Sequence, residues 1–153
     1  MTPTQTKMIS TPADSFNLVS VRLVKEQPRN YAARIIDDDQ KAYELLNDLY
    51  SIGSLAEENV YVIMLNQQLA VVGVQVVSHG TVTASLVHPR EVFKAAILTN
   101  ATSIILAHNH PSGSLMASAP DREVTGRIKA AGELLGIPML SHLVVTGDGY
   151  VAA

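Results

Sequence analysis

The sequence contains no cysteine among its 153 residues. The chain therefore forms no disulfide, has no thiolate ligand for a metal and has no cysteine nucleophile. No apolar run reaches the roughly 18 residues that a membrane-spanning helix requires. The first residues, MTPTQTKMISTPADS, are polar and lack the apolar segment of a secretory signal. We therefore expect a cytoplasmic protein that does not associate with membranes.

Charged residues are also scarce, at 16% of the chain, where about 25% is typical of globular domains. The formal net charge is −3, and the lysines and arginines do not cluster. Because binding to a phosphate backbone depends on concentrated positive charge, a nucleic-acid partner is disfavoured. The tyrosines Tyr31, Tyr43, Tyr50 and Tyr61 form no aromatic platform for single-stranded nucleic acid. The low charge content is compatible with a homodimer.

The length suits one domain with a sizeable hydrophobic core. We predict a flexible N-terminal arm over residues 1–15 and a single domain over residues 16–153. Segments rich in β-branched and apolar residues predict strands at 16–24, 60–65, 69–78, 81–87, 102–107, 138–145 and 150–151. Residues 60–65, VYVIML, are all apolar, which is typical of a central strand buried on both faces. A turn is predicted at His79-Gly80.

Three helices are predicted between the strands. The first follows the acidic triplet at 37–39, which supplies an N-cap, and ends near Gly53. The second covers residues 89–100 with a proline at its first position, and the third covers residues 118–135 and is ended by Gly136. The apolar stripe of the third helix consists of Val124, Ile128, Ala131 and Leu135. The fold class is therefore α/β of the α+β type, a mixed, mostly antiparallel sheet flanked by about three helices.

Two of the five histidines lie one residue apart, in the segment AHNHPSGSLMASAPD at residues 107–121. Side chains two residues apart on a strand point to the same face, so a strand that stays extended directs His108 and His110 to one side and Asn109 to the other. Alone, this H-x-H pattern is a weak metal signal. The spelling H-N-H does not indicate an HNH nuclease, because the three residues that name those enzymes are spread along a ββα unit.

Asp121 is the natural third ligand beside the two histidines. It lies in the first turn of the third helix, and the preceding loop can fold that turn back over the strand end. Two neutral imidazoles and one carboxylate are a known ligand set for catalytic zinc, with the fourth position open for a water, whose pKa zinc lowers toward roughly 7. The same S-x-x-D segment is also an ordinary capping box, with Ser118 as the N-cap. Both interpretations stay open at this point.

The whole pattern H-x-H-x₇-S-x-x-D resembles the JAMM (MPN-plus) metalloprotease motif. The segments HPREVFKAAI and SIILAHNHPSG, and the helix ending LLGIP, make residues 38–151 similar to the JAB domain of the RadC family. The resemblance implies a JAB/MPN-like fold, of cytidine-deaminase-like architecture, with one Zn²⁺ per chain. It implies His108, His110 and Asp121 as the zinc ligands, and Ser118 as a hydrogen-bond donor to the developing oxyanion.

Enzymes of this type also use a glutamate ahead of a strand to hold the water and to carry its proton to the leaving amine. Glu57 and Glu58 both precede NVYVIML. The family pattern matches Glu58 better than Glu57, and the alternative is that both are solvated charges at a strand entrance. The implied activity is that of a metallopeptidase or isopeptidase that hydrolyses an amide bond in a peptide or protein substrate.

Two other functions stay open beside hydrolysis. One is a zinc-binding module that recognises a peptide without cleaving it. The other is an accessory protein of DNA repair, an association that comes with the RadC name. The acidic balance disfavours the second, and so does the expectation that this chain resembles short members without the N-terminal helix-hairpin-helix region.

The sequence departs from the family pattern at two places. The loop reads GSLMAS, where the family usually has an aspartate after HPSG and a proline before the serine, and Ser141 stands where an aspartate commonly precedes the histidine. Neither departure touches a predicted ligand. His142 itself is expected to be hydrogen-bonded in or near the core, and His88 is expected to lie at a helix start.

Overall fold

The structure is a computed structural model that describes residues 19–24, 34–80 and 87–153. The described residues form α1 (Asp39–Tyr50), a 3-10 helix (Ile52–Ser54), α2 (Pro89–Leu98) and α3 (Ala119–Leu135). They also form strands β1 (Glu58–Leu65), β2 (Val71–Gly80), β3 (Ser103–Asn109), β4 (Met139–Thr146) and β5 (Gly149–Ala152). None of these helices has both the length and the apolar character needed to cross a bilayer. The predicted arm at 1–15 lies outside the described residues.

The five strands form one sheet in the order β2-β1-β3-β4-β5. β3 and β4 are parallel, and the other three neighbouring pairs are antiparallel. The predicted mixed, mostly antiparallel sheet with three helices is therefore confirmed. β1 lies inside the sheet and all but its first residue is buried, as the uniformly apolar run VYVIML predicted.

The sheet has a hydrophobic core on each face. One core joins α2 and α3 to the sheet, through residues such as Phe93 and Ile128 against Leu106. The other joins α1 to the opposite face, through Leu45 and Leu46 against Leu143. Because both faces are covered, the strands between them are rich in apolar residues at successive positions. This layered arrangement holds the ends of β1, β3 and α3 in fixed relation to one another.

The helix ends agree with the predicted signals, with one exception. Asp38 caps α1, His88 caps α2 and precedes Pro89, and Gly136 ends α3 in a left-handed conformation. The expected end of the first helix near Gly53 is wrong, because Ser51 adopts the left-handed conformation and donates its N–H to the Asn47 carbonyl. Gly53 has a packing role instead. A Cβ there would lie 2.6 Å from the Thr146 carbonyl oxygen.

Two further expectations are corrected. His79-Gly80 is not a turn: β1 begins at Glu58, so Glu58 pairs with Gly80 and Asn59 with His79, and the ladder continues to the end of β2. Leu135 does not belong to the buried stripe of α3. It is 47% exposed, and Gly132 is buried in the last turns of the helix.

Two predicted strands fall wholly or partly outside the described residues. Residues 81–86 of the strand at 81–87 are not described, and neither are residues 16–18 of the strand at 16–24. Residues 19–24 form no strand, so the prediction is wrong there. Val19 and Val24 are exposed, and β-branched residues favour strands only where they pack on a pleated, partly buried surface.

Candidate metal centre

The end of β3 carries the two histidines of the H-x-H pattern. β3 is buried along its whole length and lies between β1 and β4, where His108 pairs with Val60 and Val144. His110 follows the last residue of the strand, and its N–H donates to the Val145 carbonyl, which extends the alternation by one residue. The two Nε2 atoms consequently face each other at 3.0 Å.

Asp121 reaches the same place from the start of α3. Its carboxylate oxygens lie 3.2 Å from Nε2 of His108 and 3.3 Å from Nε2 of His110. The same carboxylate completes a capping box, since Oδ2 accepts the Ser118 N–H at 2.6 Å while the Asp121 N–H donates to the Ser118 hydroxyl at 3.2 Å. The two interpretations of S-x-x-D are thus compatible, because the cap orients the carboxylate toward the histidines.

Glu58 adds a second carboxylate to the group. It is the first residue of β1, and its Oε1 lies 3.7 Å from Nε2 of His110. Glu57 has an exposed side chain and does not belong to the group of residues that could bind a metal. Strand alternation explains the difference, because Glu58 shares the sheet face of Val60, on which His108 also lies.

The potential ligand atoms of Glu58, His108, His110 and Asp121 all lie within 4.8 Å of one another, so this group could hold a metal ion. The donor set, two imidazole nitrogens and two carboxylates, suits zinc and other divalent transition metals. The Nδ1–H of His110 donates to the Ser114 carbonyl at 2.7 Å. In the neutral ring Nε2 therefore carries a lone pair that faces the other ligand atoms. The residues present fit a bound cation.

The carboxylate of Asp121 is held in its charged form. Burial acts to raise the pKa of Asp121, but the His108 ring and Ser118, which both contact the carboxylate, outweigh burial and hold the pKa well below its usual value. A buried negative charge beside two ring nitrogens favours a cation between them.

The centre is open to solvent on one side. The side chains of His108 and Asp121 are 0% and 2% exposed, whereas those of His110 and Glu58 are 12% and 22% exposed. Ser118 is exposed. Solvent therefore has access from the side of Glu58, His110 and Ser118, while His108 and Asp121 form the buried floor.

Asn109, between the two histidines, holds the strand entrance from the opposite face of β3. Its Oδ1 accepts the Asn59 N–H at 2.8 Å, and its amide group donates to the Glu57 carbonyl at 2.8 Å. These hydrogen bonds hold the backbone in place on both sides of Glu58. Strand alternation predicted the correct face for Asn109, but no local pattern indicates this role, because the partners lie 50 and 52 residues away.

Three further contacts surround the centre. His142 is buried on β4, as predicted, with Nε2 at 2.8 Å from Nδ1 of His108 and Nδ1 at 2.6 Å from the Thr125 hydroxyl. Burial, together with the neighbouring His108 ring, lowers the pKa of His142 to about 3. Ser114, at the position of the family's usual aspartate, contacts His110 through its backbone carbonyl. The substitution in the loop therefore leaves that contact intact.

The fold and the centre define a mixed α/β domain with a group of residues that could bind a metal at the end of a central strand. The family model of the RadC-like JAB domain matches residues 36–153. The chain therefore belongs to the RadC-like JAB domain family, and the resemblance stated from the motifs is confirmed.

Curated relatives carry names that state no activity. A UPF0758 protein of Symbiobacterium thermophilum is 54% identical over 98 residues, which cover 64% of this chain and 42% of that protein. A UPF0758 protein of Rubrobacter xylanophilus is 50% identical over 99 residues, covering 65% of this chain and 43% of that protein. One of Thermotoga maritima is 41% identical over 115 residues, covering 75% of this chain and 50% of that protein. The chain spans about half or less of the length of these relatives.

Proposed function

We propose that this domain is a zinc-dependent hydrolase of the JAMM type that cleaves an amide bond in a peptide or isopeptide. The observation that carries the proposal is the convergence of Glu58, His108, His110 and Asp121, whose ligand atoms lie within 4.8 Å of one another at a solvent-accessible strand end. Family membership supports the same chemistry, since the motif H-x-H-x₇-S-x-x-D lies inside the matched residues.

In this proposal His108, His110 and Asp121 hold one zinc ion per chain. Two imidazoles and one carboxylate, with ligand atoms within 4.8 Å of one another, match the ligands of catalytic zinc sites, which have three protein ligands and one open position. Such an ion supplies Lewis acidity, which lowers the pKa of a coordinated water toward roughly 7 and polarises a carbonyl. The buried floor formed by His108 and Asp121 keeps those ligands away from bulk solvent.

Glu58 is the proposed acid/base. Its carboxylate accepts the proton of the attacking water as the water oxygen bonds to the amide carbon, and it returns that proton to the nitrogen as the C–N bond breaks. Its partial exposure and its distance of 3.7 Å from Nε2 of His110 suit a group that works beside the ligands rather than as one of them. Glu57, with an exposed side chain outside the group, does not suit this role.

Ser118 is the proposed donor to the carbonyl oxygen of the scissile amide. Its hydroxyl oxygen accepts the Asp121 N–H, so the hydroxyl hydrogen is available to another acceptor, and the residue is exposed beside the carboxylate. A donor held in place before the reaction stabilises negative charge that develops on that oxygen. The capping box therefore orients Ser118 as well as Asp121.

Metal analysis and hydrolysis assays of matched variants test the proposal. We expect His108→Ala and Asp121→Ala to lose stoichiometric zinc. Glu58→Gln is expected to keep zinc and to lose hydrolysis of a quenched-fluorescence peptide library and of lysine ε-amide isopeptides by roughly 10²–10⁴-fold. Glu57→Gln is the matched control and should retain both properties.

Four results would count against this assignment. Stoichiometric zinc in His108→Ala would show that the ligands are wrong. Unchanged hydrolysis in Glu58→Gln would remove its role as the acid/base. Tight binding of peptides by the zinc-loaded wild type without turnover would identify a recognition module, and salt-dependent DNA binding would favour an accessory role in DNA repair.

A further inference from the structure

A chain of hydrogen-bonded polar groups runs behind His108, on the side away from the other proposed ligands. Nδ1 of His108 lies 2.8 Å from Nε2 of His142. Nδ1 of His142 lies 2.6 Å from the Thr125 hydroxyl, which lies 2.8 Å from the Asp121 backbone carbonyl. The chain thus begins at one proposed ligand on β3, passes through β4 and α3, and ends on the backbone of another.

The direction of every hydrogen bond in this chain follows from its last acceptor. A backbone carbonyl only accepts, so the single hydroxyl hydrogen of Thr125 points to Asp121. The Thr125 oxygen must then accept the Nδ1–H of His142. An imidazole ring whose single hydrogen is on Nδ1 has a lone pair on Nε2, so His142 accepts at Nε2 from Nδ1–H of His108.

The consequence lies at the other ring nitrogen of His108. A neutral imidazole with its hydrogen on Nδ1 has a lone pair on Nε2. That Nε2 faces the Asp121 carboxylate at 3.2 Å and Nε2 of His110 at 3.0 Å. Without a metal, the reverse tautomer can donate Nε2–H to the Asp121 carboxylate, so the tautomer with hydrogen on Nδ1 is required only when a cation takes the place of that hydrogen.

We propose that His142 and Thr125 are positioning residues that orient His108 and accept its Nδ1–H when its Nε2 binds a metal, so that they stabilise the metal-binding tautomer. The inference rests on the metal-binding part of the proposed function, but the tautomer itself does not depend on hydrolysis. A hydrogen-bond partner behind a ligating histidine commonly accounts for a 10–100-fold difference in metal affinity, as an order of magnitude.

The two histidines are held in different ways. His110 is oriented by the Ser114 carbonyl, within a loop that turns at Gly113, where φ is +80°. His108 is oriented by side chains from β4 and α3, so its alignment depends on the packing of those two elements. The proposed positioning function therefore predicts that changes at Thr125, which is not in the group of potential ligands, alter metal binding.

The first test is nuclear magnetic resonance of the zinc-loaded protein. Long-range ¹H–¹⁵N correlations report which ring nitrogen carries the hydrogen. We expect His108 and His142 of the wild type to carry it on Nδ1. In His142→Phe the Nδ1–H of His108 loses its acceptor and should exchange faster with water, whereas in His142→Gln the amide oxygen can still accept from Nδ1–H and should preserve slow exchange.

The second test is zinc affinity, measured by competition with a chromophoric chelator. We expect His142→Phe and Thr125→Val to weaken zinc binding by about 10–100-fold. Thr125→Ser keeps the hydroxyl and is the matched control, with affinity close to that of the wild type. Amide spectra of each variant establish that the fold is retained, and Thr125→Val serves if His142→Phe does not fold.

Distinct results separate this inference from the proposed function. Hydrogen on Nε2 of His142 in the zinc-loaded wild type would overturn the positioning role, and so would wild-type zinc affinity in folded Thr125→Val. A wild type that binds zinc and shows the expected variant effects without hydrolysing any amide would leave the positioning role intact and refute the hydrolase. A wild type that binds no zinc would refute both proposals at the metal site.

Discussion

Asp121 shows how one residue serves local structure and a metal centre together. An ionised carboxylate has about four lone-pair sites, and the capping box occupies one of them with the Ser118 N–H. The remaining sites face Nε2 of His108 and of His110. The cap keeps the side chain in one rotamer, so it reduces the conformational entropy that metal binding would otherwise cost.

Asn109 supports a prediction at the same scale. Its side chain bonds to the backbone of residues 57 and 59, on either side of Glu58. We expect Asn109→Ala to retain zinc, because the ligands are untouched, and to lower hydrolysis by about 10–100-fold because Glu58 is displaced. The buried groups left unpaired should cost about 1–3 kcal/mol of unfolding free energy. Zinc content, peptide hydrolysis and urea unfolding measure the three effects.

A second asparagine provides the control. Asn66 accepts two backbone N–H groups in the turn between β1 and β2, away from the centre. Asn66→Ala should lower stability while hydrolysis in the folded protein stays at the wild-type level. Equal losses of activity in the two variants would show that Asn109 acts only through global stability.

At the scale of elements, the parallel crossover from β3 through α3 to β4 builds the site. The start of a helix that follows a strand lies near the carboxyl end of that strand. α3 therefore begins where β3 ends, and its first turn carries Asp121. The positive end of the helix dipole also stabilises this carboxylate. The third element, β1, pairs antiparallel with β3. Its first residue, Glu58, therefore lies at the same end of the sheet as the last residues of β3.

Two glycines of α3 distinguish the effect of helix propensity on stability from the effect of packing. Nothing lies within 4 Å of a Cβ added at Gly126, so Gly126→Ala should stabilise the protein by about 0.5–1 kcal/mol. A Cβ at Gly132 would lie 2.5 Å from the Ile137 carbonyl oxygen and 3.2 Å from the Phe93 ring. Gly132→Ala should therefore destabilise by about 1–3 kcal/mol.

The midpoints of urea unfolding curves measure both changes. Opposite signs are expected for the two substitutions. Stabilisation of similar size at both positions would show that α3 does not pack closely against β4 and α2 at Gly132.

At the scale of the whole molecule, we expect the proposed metal binding to be coupled to folding. The proposed ligands come from β3 and α3, with Glu58 of β1 beside them, and an unfolded chain does not hold them together. Free zinc at about 100 times its dissociation constant should add about 2.7 kcal/mol to the unfolding free energy. For a chain of this length that corresponds to an increase in Tm of roughly 5–10 °C.

His110→Ala is the matched variant for this measurement, because His110 is partly exposed and its loss should disturb the core little. The increase in Tm on adding zinc should largely disappear in this variant. An equal increase in both proteins would mean that zinc stabilises the fold at another place.

The sequence alone predicted the elements that depend on local patterns. The apolar run VYVIML indicated a strand buried on both faces, and Pro89 and Gly136 marked a helix start and a helix end correctly. Local patterns were insufficient where tertiary packing decides. Residues 19–24 contain four apolar residues but form no strand, and Leu135 is exposed while Gly132 is buried in its place. Helix and strand propensities depend on neighbouring residues in the sequence, whereas burial depends on which other elements pack against a residue.

The same division holds for the site. The spacing H-x-H determined that the two imidazoles share a face, since strand alternation is a property of neighbouring residues. Only the tertiary structure brought Asp121 and Glu58 to those rings. Only it showed the hydrogen bonds of Asn109 beside Glu58, and those of His142 and Thr125 behind His108. Those contacts join residues far apart in the chain, and the packing of α3 and of β1 on the sheet creates them.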